Sequence, residues 1–373
     1  MKKVLFVVQA AGGVAAYLSM LLKYIDRKNF NYIFVCSKDY SEEEFKPLVD
    51  SLEYIEMNRE INFREDLKAI FQLRKLIKKH NPDIIYLHSS KAGAIGRIAA
   101  LGLGKKVIYN AHGWAFNMKC SKFKRNFYEY IERMLALFTD KIIAISKFEQ
   151  ESALHNRICS ERKIEIIENG VDIDSINEIV EKTTLTRAEI KIPEDAYIVG
   201  MVGRISTQKA VDVFVETADI IKKSIPNAFF IIVGDGEERN EIEQLIHKYA
   251  LEDSFLITGW IKNPIDYIQL FDQAILLPRW EGFGLVLAEY MACRKPIVAT
   301  QVGAIPNVIE NNINGILVPP NNPEKTAQVV IDIYCDKDLK GFLVKNGYDI
   351  VRERFDIKRV AMQHRELFKE YAN

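Results

Sequence analysis

Short apolar runs that end in glycine or polar residues recur along the chain. Residues 4–8 come before Gly12-Gly13, residues 84–87 come before His88, and residues 197–202 come before Gly203. Runs of this length between turn residues are typical of buried strands, and helix-forming segments follow them here. Strands that alternate with helices predict an α/β fold with parallel sheets.

The same pattern predicts most of the remaining elements. A helix at 119–139 has an apolar stripe that includes Phe123, Phe127 and Met134. We expect this stripe to pack as core rather than to enter a membrane, because a helix over a sheet must cover it. Other strands are expected at 33–37, 107–110, 141–145, 164–168, 229–233, 274–277 and 296–300, and other helices at about 14–23, 70–79, 285–292 and 350–371, with one more helix ending at 101.

Length and composition predict two domains without a membrane span. The chain has 373 residues, of which 48% are hydrophobic, and no apolar run approaches the length of a bilayer crossing. We expect domains at 1–171 and 196–349 with a polar linker at 172–195. The first apolar run is too short for a signal peptide. The five cysteines are scattered, which favours reduced thiols in a cytoplasmic protein.

Charge is unevenly distributed, although the net charge is zero. Residues 84–133 hold nine Lys and Arg against two Asp and Glu. Two interpretations remain open for this segment, namely a solvated basic face or a binding surface for an anionic partner.

The stretch 279–296 carries the strongest chemical signal. Glu281-Gly282-Phe283-Gly284 forms a loop between a predicted strand and the helix that carries Glu289. A helix N-terminus of this kind favours a phosphate. The two glutamates instead suit hydroxyl groups, since a carboxylate accepts hydrogen bonds from a diol. A nucleotide sugar has this layout of sugar, diphosphate and ribose.

Three further residues are placed at the ends of predicted strands. Arg204 and Lys209 follow Gly203 and are the strongest cationic candidates for the diphosphate. His112 follows the strand at 107–110, and ligands bind at such carboxyl ends in open α/β sheets. The sequence Asp172-Ile173-Asp174 has a metal-binding form but enters the polar linker, so no metal site is expected.

Glu281 and Glu289 together resemble the Glu-x7-Glu motif of retaining GT-B glycosyltransferases, in particular glycosyltransferase family 4. The resemblance extends over nearly the whole chain, and Ala210 departs from the usual glycine after Lys209. It implies two Rossmann-like domains that face each other across a cleft, with a helix at 350–373 that returns to the first domain.

The resemblance also assigns roles to residues. Catalytic roles are implied for His112, Arg204, Lys209 and Glu281. Acceptor binding is implied for Gly12, Ser90, Lys91 and Trp114. Donor binding is implied for Gly13, Gly203, Gly236, Gly259, Gly282, Phe283, Gly284, Leu285 and Glu289.

The expected function is a retaining, metal-independent sugar transfer from a nucleotide-diphosphate sugar, with UDP preferred, in surface polysaccharide synthesis. The expected acceptor is a glycan, preferably lipid-linked, at the inner face of an anionic membrane, with no nucleic-acid partner and no cofactor. A nucleotide-sugar epimerase is the main alternative. A phosphorylase would need a pyridoxal-phosphate lysine, a dehydrogenase would need the absent Gly-x-Gly-x-x-Gly motif, and a sugar-nucleotide sensor would bind without turnover.

Overall fold

The computed structural model describes residues 1–9, 12–58 and 62–372. These residues form two compact units. Unit one comprises Met1–Gly170 together with the C-terminal helix, and unit two is Val171–Asp356. Ala10 and Ala11 of the predicted glycine loop lie outside the described residues.

Unit one is built on a parallel sheet. In the described part of unit one the strands are β1 (Lys2–Val8), β2 (Phe30–Cys36), β3 (Ser51–Tyr54), β4 (Ile84–His88), β5 (Lys106–Asn110), β6 (Lys141–Ala144) and β7 (Ile164–Ile166). Their order in the sheet is β3-β2-β1-β4-β5-β6-β7, and β1 pairs with both β2 and β4. The predicted α/β fold with a parallel sheet is therefore confirmed.

Helices cover this sheet. Leu5, Leu87 and Tyr109 on one sheet face share a buried cluster with Leu73, Ile95 and Ala136 from three neighbouring helices. The helices of unit one before its C-terminal helix are α1 (Gly13–Tyr24), α2 (Glu42–Phe45), α3 (Phe63–His80), α4 (Ser90–Ala100), α5 (Lys122–Ala136) and α6 (Lys147–His155). The helices α3, α4 and α5 therefore form one layer over one face of the sheet.

Unit two repeats the architecture with a second parallel sheet. Its strands are β8 (Tyr197–Val202), β9 (Ala228–Val233), β10 (Phe255–Ile257), β11 (Gln273–Leu276), β12 (Ile297–Thr300) and β13 (Ile316–Val318). Their order in the sheet is β10-β9-β8-β11-β12-β13. Its helices are α7 (Ile173–Lys182), α8 (Val211–Ser224), α9 (Arg239–Lys248), α10 (Ile265–Ile268), α11 (Leu285–Ala292), α12 (Ile305–Val308), α13 (Pro323–Cys335) and α14 (Lys337–Arg354).

The C-terminal segment is two helices rather than the single helix predicted at 350–371. Helix α14 ends at Arg354, and α15 (Ile357–Ala372) begins three residues later in unit one. The Phe368 ring packs edge-on against Phe6, and His364 hydrogen-bonds Tyr86 at 3.0 Å. These contacts place α15 on the sheet face opposite the α3–α5 layer, since Phe6 and Tyr86 alternate with Leu5 and Leu87.

The segment predicted as a polar linker contains α7. The Asp172 carboxylate accepts a hydrogen bond from the Ser175 N–H at 3.1 Å and so caps this helix. Ile173 and Ile176 are buried. The Asp-x-Asp sequence therefore has a structural role at a helix start.

The apolar stripe of α5 is exposed, which corrects the prediction that it is core. Phe123, Tyr130 and Leu137 are exposed, whereas Glu132 is buried. The Glu132 carboxylate lies 2.8 Å from the Arg97 guanidinium of α4 and accepts the Tyr109 hydroxyl at 3.0 Å. This ion pair fixes the polar side of α5 inward, so the apolar side faces outward. None of the helices within the described ranges is long and apolar enough to cross a bilayer.

Candidate functional site

The order of the strands in unit two reverses between β8 and β11. These two strands are parallel neighbours, with Gln273 opposite Val199. The loops that follow them leave the same sheet edge toward opposite faces, which opens the crevice where α/β sheets bind ligands. The predicted residues Gly203, Arg204 and Lys209 lie in the first loop, and 281–284 in the second.

Lys209 and Glu281 join these two loops. The Lys209 ammonium lies 2.5 Å from the Glu281 carboxylate, and both side chains are largely buried. The other Glu281 oxygen accepts the Gly282 N–H at 3.1 Å. The Lys209 methylenes cross Gly203, where an added Cβ would lie 3.7 Å from them. The predicted diphosphate cation and the predicted sugar-binding carboxylate are therefore ion-pair partners.

Arg279 holds the same two loops together and was missed from the sequence. Its guanidinium donates to the Thr207 carbonyl at 2.9 Å and pairs with Asp212 at 2.6 Å. Its backbone N–H donates to the Gln208 carbonyl at 2.8 Å. A lone arginine two residues before Glu281 gives no sequence signal of these contacts, because the partners lie about 70 residues away.

Backbone geometry explains two glycines around Glu281. A Cβ at Gly303 would lie 2.1 Å from the Glu281 carbonyl oxygen, which also accepts the Ala304 N–H at 3.0 Å. Gly284 has φ 78° where it precedes α11, a conformation that side chains disfavour. These contacts fix the loop that carries Glu281.

Ala210 occupies a similar left-handed conformation, with φ 50°, and is fully buried. Glycine would adopt this conformation without a steric cost. Alanine in place of the usual glycine at position 210 therefore places a strained backbone conformation directly after Lys209.

Glu289 lies in α11 and is partly buried. No hydrogen bond or ion pair to its carboxylate is found among the described residues. Burial alone raises its pKa to about 7. A carboxyl group held without a partner is costly, so this group is suited to a ligand that donates hydrogen bonds.

The other predicted donor residues occupy varied positions. Arg204 is half exposed and pairs with Glu237 at 2.8 Å, so the structure does not bring it into the Lys209–Glu281 pair. Phe283 is buried and packs edge-on against Phe355. Leu285 is the first residue of α11. Gly236 and Gly259 follow β9 and β10. Their roles in donor binding stay predictions.

In unit one, His112 hydrogen-bonds a second histidine. Its Nε2 lies 2.8 Å from Nδ1 of the buried His88, and its backbone N–H donates to Asn110 at 2.9 Å. His112 has φ 53°, so the backbone turns sharply after β5. Burial lowers the pKa of His112 to about 3 and also lowers the pKa of His88. Both rings are therefore neutral at physiological pH.

The hydrogen bonds indicate which nitrogen carries each proton. His88 Nε2 is buried and has no partner within the described ranges. A lone pair is less costly than an N–H in that position, because buried N–H groups without partners are rare. His88 Nδ1–H then donates to His112 Nε2, and the His112 proton resides on Nδ1. His364 has the same tautomer, since its Nδ1 lies 2.8 Å from the Val360 carbonyl.

Two predicted acceptor residues are committed to the fold. The Trp114 indole is 2% exposed and donates to the Glu149 carbonyl at 2.8 Å, so the fold already uses this side chain, and its role in acceptor binding stays a prediction. The Lys91 ammonium pairs with Asp66 at 2.5 Å and is largely buried. Ser90 begins α4, Gly13 begins α1, and Gly12 is the N-cap of α1. Across the described residues, no group of His, Cys, Asp and Glu that could hold a metal ion occurs.

We expect Glu289→Gln to stabilise the protein at alkaline pH. The folded pKa of about 7 lies above the ordinary value of 4.5, so folding disfavours the charged form and stability is lost as pH rises through 7. Thermal unfolding should show a higher Tm for Glu289→Gln than for the wild type at about pH 8, and a smaller difference at about pH 6. A difference in Tm that is the same at both pH values would contradict a buried carboxyl group.

Nitrogen-15 NMR of the histidine rings should show neutral Nδ1–H tautomers for His88, His112 and His364. Their signals should not titrate between about pH 5 and pH 8, because burial disfavours the charged rings. A His112 signal with the proton on Nε2 would show that the tautomer assignment is wrong.

Two family models match the chain. The model described as Glycosyltransferase Family 4 matches residues 11–175, and the one described as Glycosyl transferases group 1 matches residues 182–349. Between them they cover most of both units.

Named relatives are similar over most of their length. The chain is 28% identical to the Escherichia coli UDP-Gal:alpha-D-GlcNAc-diphosphoundecaprenol alpha-1,3-galactosyltransferase, with 80% of each chain covered. It is 25% identical to the Staphylococcus aureus capsular polysaccharide biosynthesis glycosyltransferase CapM, with 90% of this chain and 88% of that one covered.

A solved structure shares the fold. The crystal structure of Anabaena HepE in complex with UDP-glucose superposes on this chain with a TM-score of 0.84. The two chains are 21% identical, and the match covers 99% of this chain and all of that chain. The family models, the relatives and the fold agree. The chain belongs to glycosyltransferase family 4 and is a nucleotide-sugar glycosyltransferase with the GT-B fold.

Proposed function

We propose that the chain transfers a sugar, with retention of anomeric configuration, from a UDP-sugar to a lipid-linked glycan in surface polysaccharide synthesis. The observation that carries this proposal is the Lys209–Glu281 pair in the crevice-forming loops, followed in α11 by Glu289, whose carboxylate has no partner among the described residues. The name of the Escherichia coli relative includes both a UDP-sugar and a diphosphoundecaprenol acceptor, which supports this substrate class.

Donor binding would exchange the partner of Lys209. Without a ligand, the Glu281 carboxylate neutralises the Lys209 ammonium. A diphosphate carries more negative charge than one carboxylate and would draw the ammonium away. Glu281 would then accept hydrogen bonds from sugar hydroxyls, while Glu289 accepts them from the ribose diol.

The transfer step would proceed at one face of the sugar. The bond between the anomeric carbon and the β-phosphate oxygen breaks, and a bond from the acceptor oxygen to the same carbon forms. The leaving phosphate takes the acceptor proton. Lys209 stabilises the charge that develops on this phosphate, with Arg204 assigned to assist. Glu281 and Glu289 are assigned to hydroxyl groups, so neither is proposed as the nucleophile of a double displacement.

The acceptor would lie at an anionic membrane surface. Lys119, Lys122, Lys124 and Arg125 are exposed at the start of α5, and none takes part in an ion pair within the described part of the chain. The predicted basic cluster is smaller than the sequence indicated, because Lys91 and Arg97 are paired with Asp66 and Glu132. Four such cations contribute about 1 kcal/mol each near an anionic surface.

Transfer to an undecaprenol-diphosphate-linked sugar, followed by mass spectrometry of the lipid, tests the proposed reaction. The wild type should extend the lipid, and Lys209→Ala should reduce kcat on the order of 10²-fold by loss of charge stabilisation. Arg204→Ala should also reduce kcat. Glu237→Gln is the matched control, since it removes the surface partner of Arg204 and should retain activity. Formation of the donor's epimer without an acceptor would favour the epimerase alternative.

Calorimetry separates the roles of Glu281. Glu281→Gln should bind free UDP more tightly than the wild type does, because Lys209 no longer has to leave a charged partner. The same variant should turn over the intact donor more slowly, because one acceptor of sugar hydroxyl groups is lost. Weaker UDP binding together with unchanged turnover would contradict the proposed exchange.

A further inference from the structure

Exposed apolar side chains are concentrated in one helical layer of unit one. Of the 19 large apolar side chains that are exposed in the described part of the chain, 12 lie within residues 63–138. This segment is about a fifth of the chain. Scattered exposed apolar residues are ordinary, but a concentration of them marks an interaction surface.

The outer side of α5 is an apolar stripe. Phe123, Phe127, Tyr130, Met134 and Leu137 recur at helical spacing, and all are exposed, with Phe123 at 81%. The inward side carries Glu132, Leu135 and Ala136. The helix α5 is therefore amphipathic, but it buries the polar Glu132 and exposes its apolar stripe to solvent. A helix that covers a core has the opposite orientation.

Helix α3 carries a second stripe in the same layer. Phe63, Leu67 and Phe71 are spaced four residues apart and are exposed, with Phe63 at 76%. Helix α4 packs against both α3 and α5, and its Ile98 is also exposed. We name the exposed apolar residues of α3, α4 and α5 the outer face of the layer.

Cations flank this outer face. Lys122 and Lys124 adjoin Phe123 in the first turn of α5, with Lys119 and Arg125 on either side. Helices that lie in a membrane interface have this combination of aromatic and aliphatic side chains with Lys and Arg beside them. An apolar protein partner would explain the stripe but not the cations, whereas anionic lipid explains both.

We propose that the outer face of the α3–α5 layer inserts into the headgroup region of an anionic bilayer. Phe123, Phe127 and Phe63 would enter the acyl boundary, and the cations would contact lipid phosphates. The inference rests on the proposed membrane-bound acceptor for its biological setting. It goes further than electrostatic attraction, because it assigns apolar contacts to residues that the sequence placed in the core.

Vesicle flotation without donor or acceptor tests the inference separately from catalysis. Vesicles contain phosphatidylcholine alone or phosphatidylcholine mixed with phosphatidylglycerol. The wild type should float with the mixed vesicles. Phe123→Ser and Phe127→Ser should each weaken binding to the mixed vesicles about tenfold, as expected when one aromatic side chain is no longer buried in the bilayer. Phe63→Ser should act in the same direction, and Phe342→Ser, an exposed site in unit two, should have no effect.

Salt separates the two contributions to binding. Replacement of Lys119, Lys122, Lys124 and Arg125 by Gln should remove the dependence of binding on anionic lipid and on salt. High salt should leave the wild type with residual binding that the Phe123→Ser, Phe127→Ser variant lacks. Circular dichroism and Tm of each variant should match those of the wild type, since all of these positions are exposed.

Fluorescence gives a direct readout of insertion. Tyr130→Trp should add an emission signal that shifts to the blue with mixed vesicles and is quenched by brominated lipid, whereas Phe342→Trp should show neither change. The inference is overturned if the serine variants float like the wild type. It is also overturned if those replacements instead abolish a dimer seen by sedimentation, which would make the face a contact between copies. Flotation as expected without any sugar transfer would leave the inference standing and reject the proposed function.

Discussion

The ion pair between Lys209 and Glu281 is the contact on which the rest of the site depends. It joins the loops that follow β8 and β11, the two strands between which the order of the sheet reverses. Arg279 and the close approach at Gly303 hold those loops at fixed positions. The Glu281 carboxylate that neutralises the Lys209 ammonium can itself accept hydrogen bonds from sugar hydroxyls. A single nucleotide-sugar ligand can therefore separate the pair and bind both groups, the ammonium through its diphosphate and the carboxylate through its sugar. Glu289 has no partner among the residues that the structure describes, and burial makes its carboxyl group costly to ionise.

Much of the fold and the centre of the site could be predicted from the sequence. The strand Tyr197–Val202 and the helix Leu285–Ala292 have the predicted limits, because apolar runs between glycine loops are local signals. Parallel strands bring their following loops to one sheet edge, so Lys209 and Glu281 were expected near each other. The sequence did not reveal that they pair directly. The sequence did not indicate roles for Arg279 and His88. The partners of Arg279 lie in a distant loop and at the start of α8, and the partner of His88 follows the neighbouring strand β5.

The error about α5 has a physical cause. Helical spacing reveals that a stripe exists, but not which side of the helix faces the sheet. Here the buried Arg97 pairs with Glu132, which also accepts a hydrogen bond from the Tyr109 hydroxyl. These contacts orient the side of α5 that carries Glu132 toward the sheet. Arg97 belongs to the basic segment 84–133, and the sequence does not show that it is buried, since its burial depends on residues in other elements. The resemblance implies an acceptor role for Trp114, and nothing in the sequence indicates that its indole N–H donates to the Glu149 carbonyl.

If Lys209 exchanges Glu281 for the donor diphosphate, calorimetry with UDP and with uridine will show it. Uridine shares the base and the ribose but lacks the diphosphate. We expect UDP to bind the wild type much more tightly than uridine does, and Lys209→Ala to remove most of this advantage while uridine affinity stays unchanged. An equal loss for both ligands, or an undiminished preference for UDP in Lys209→Ala, would contradict it.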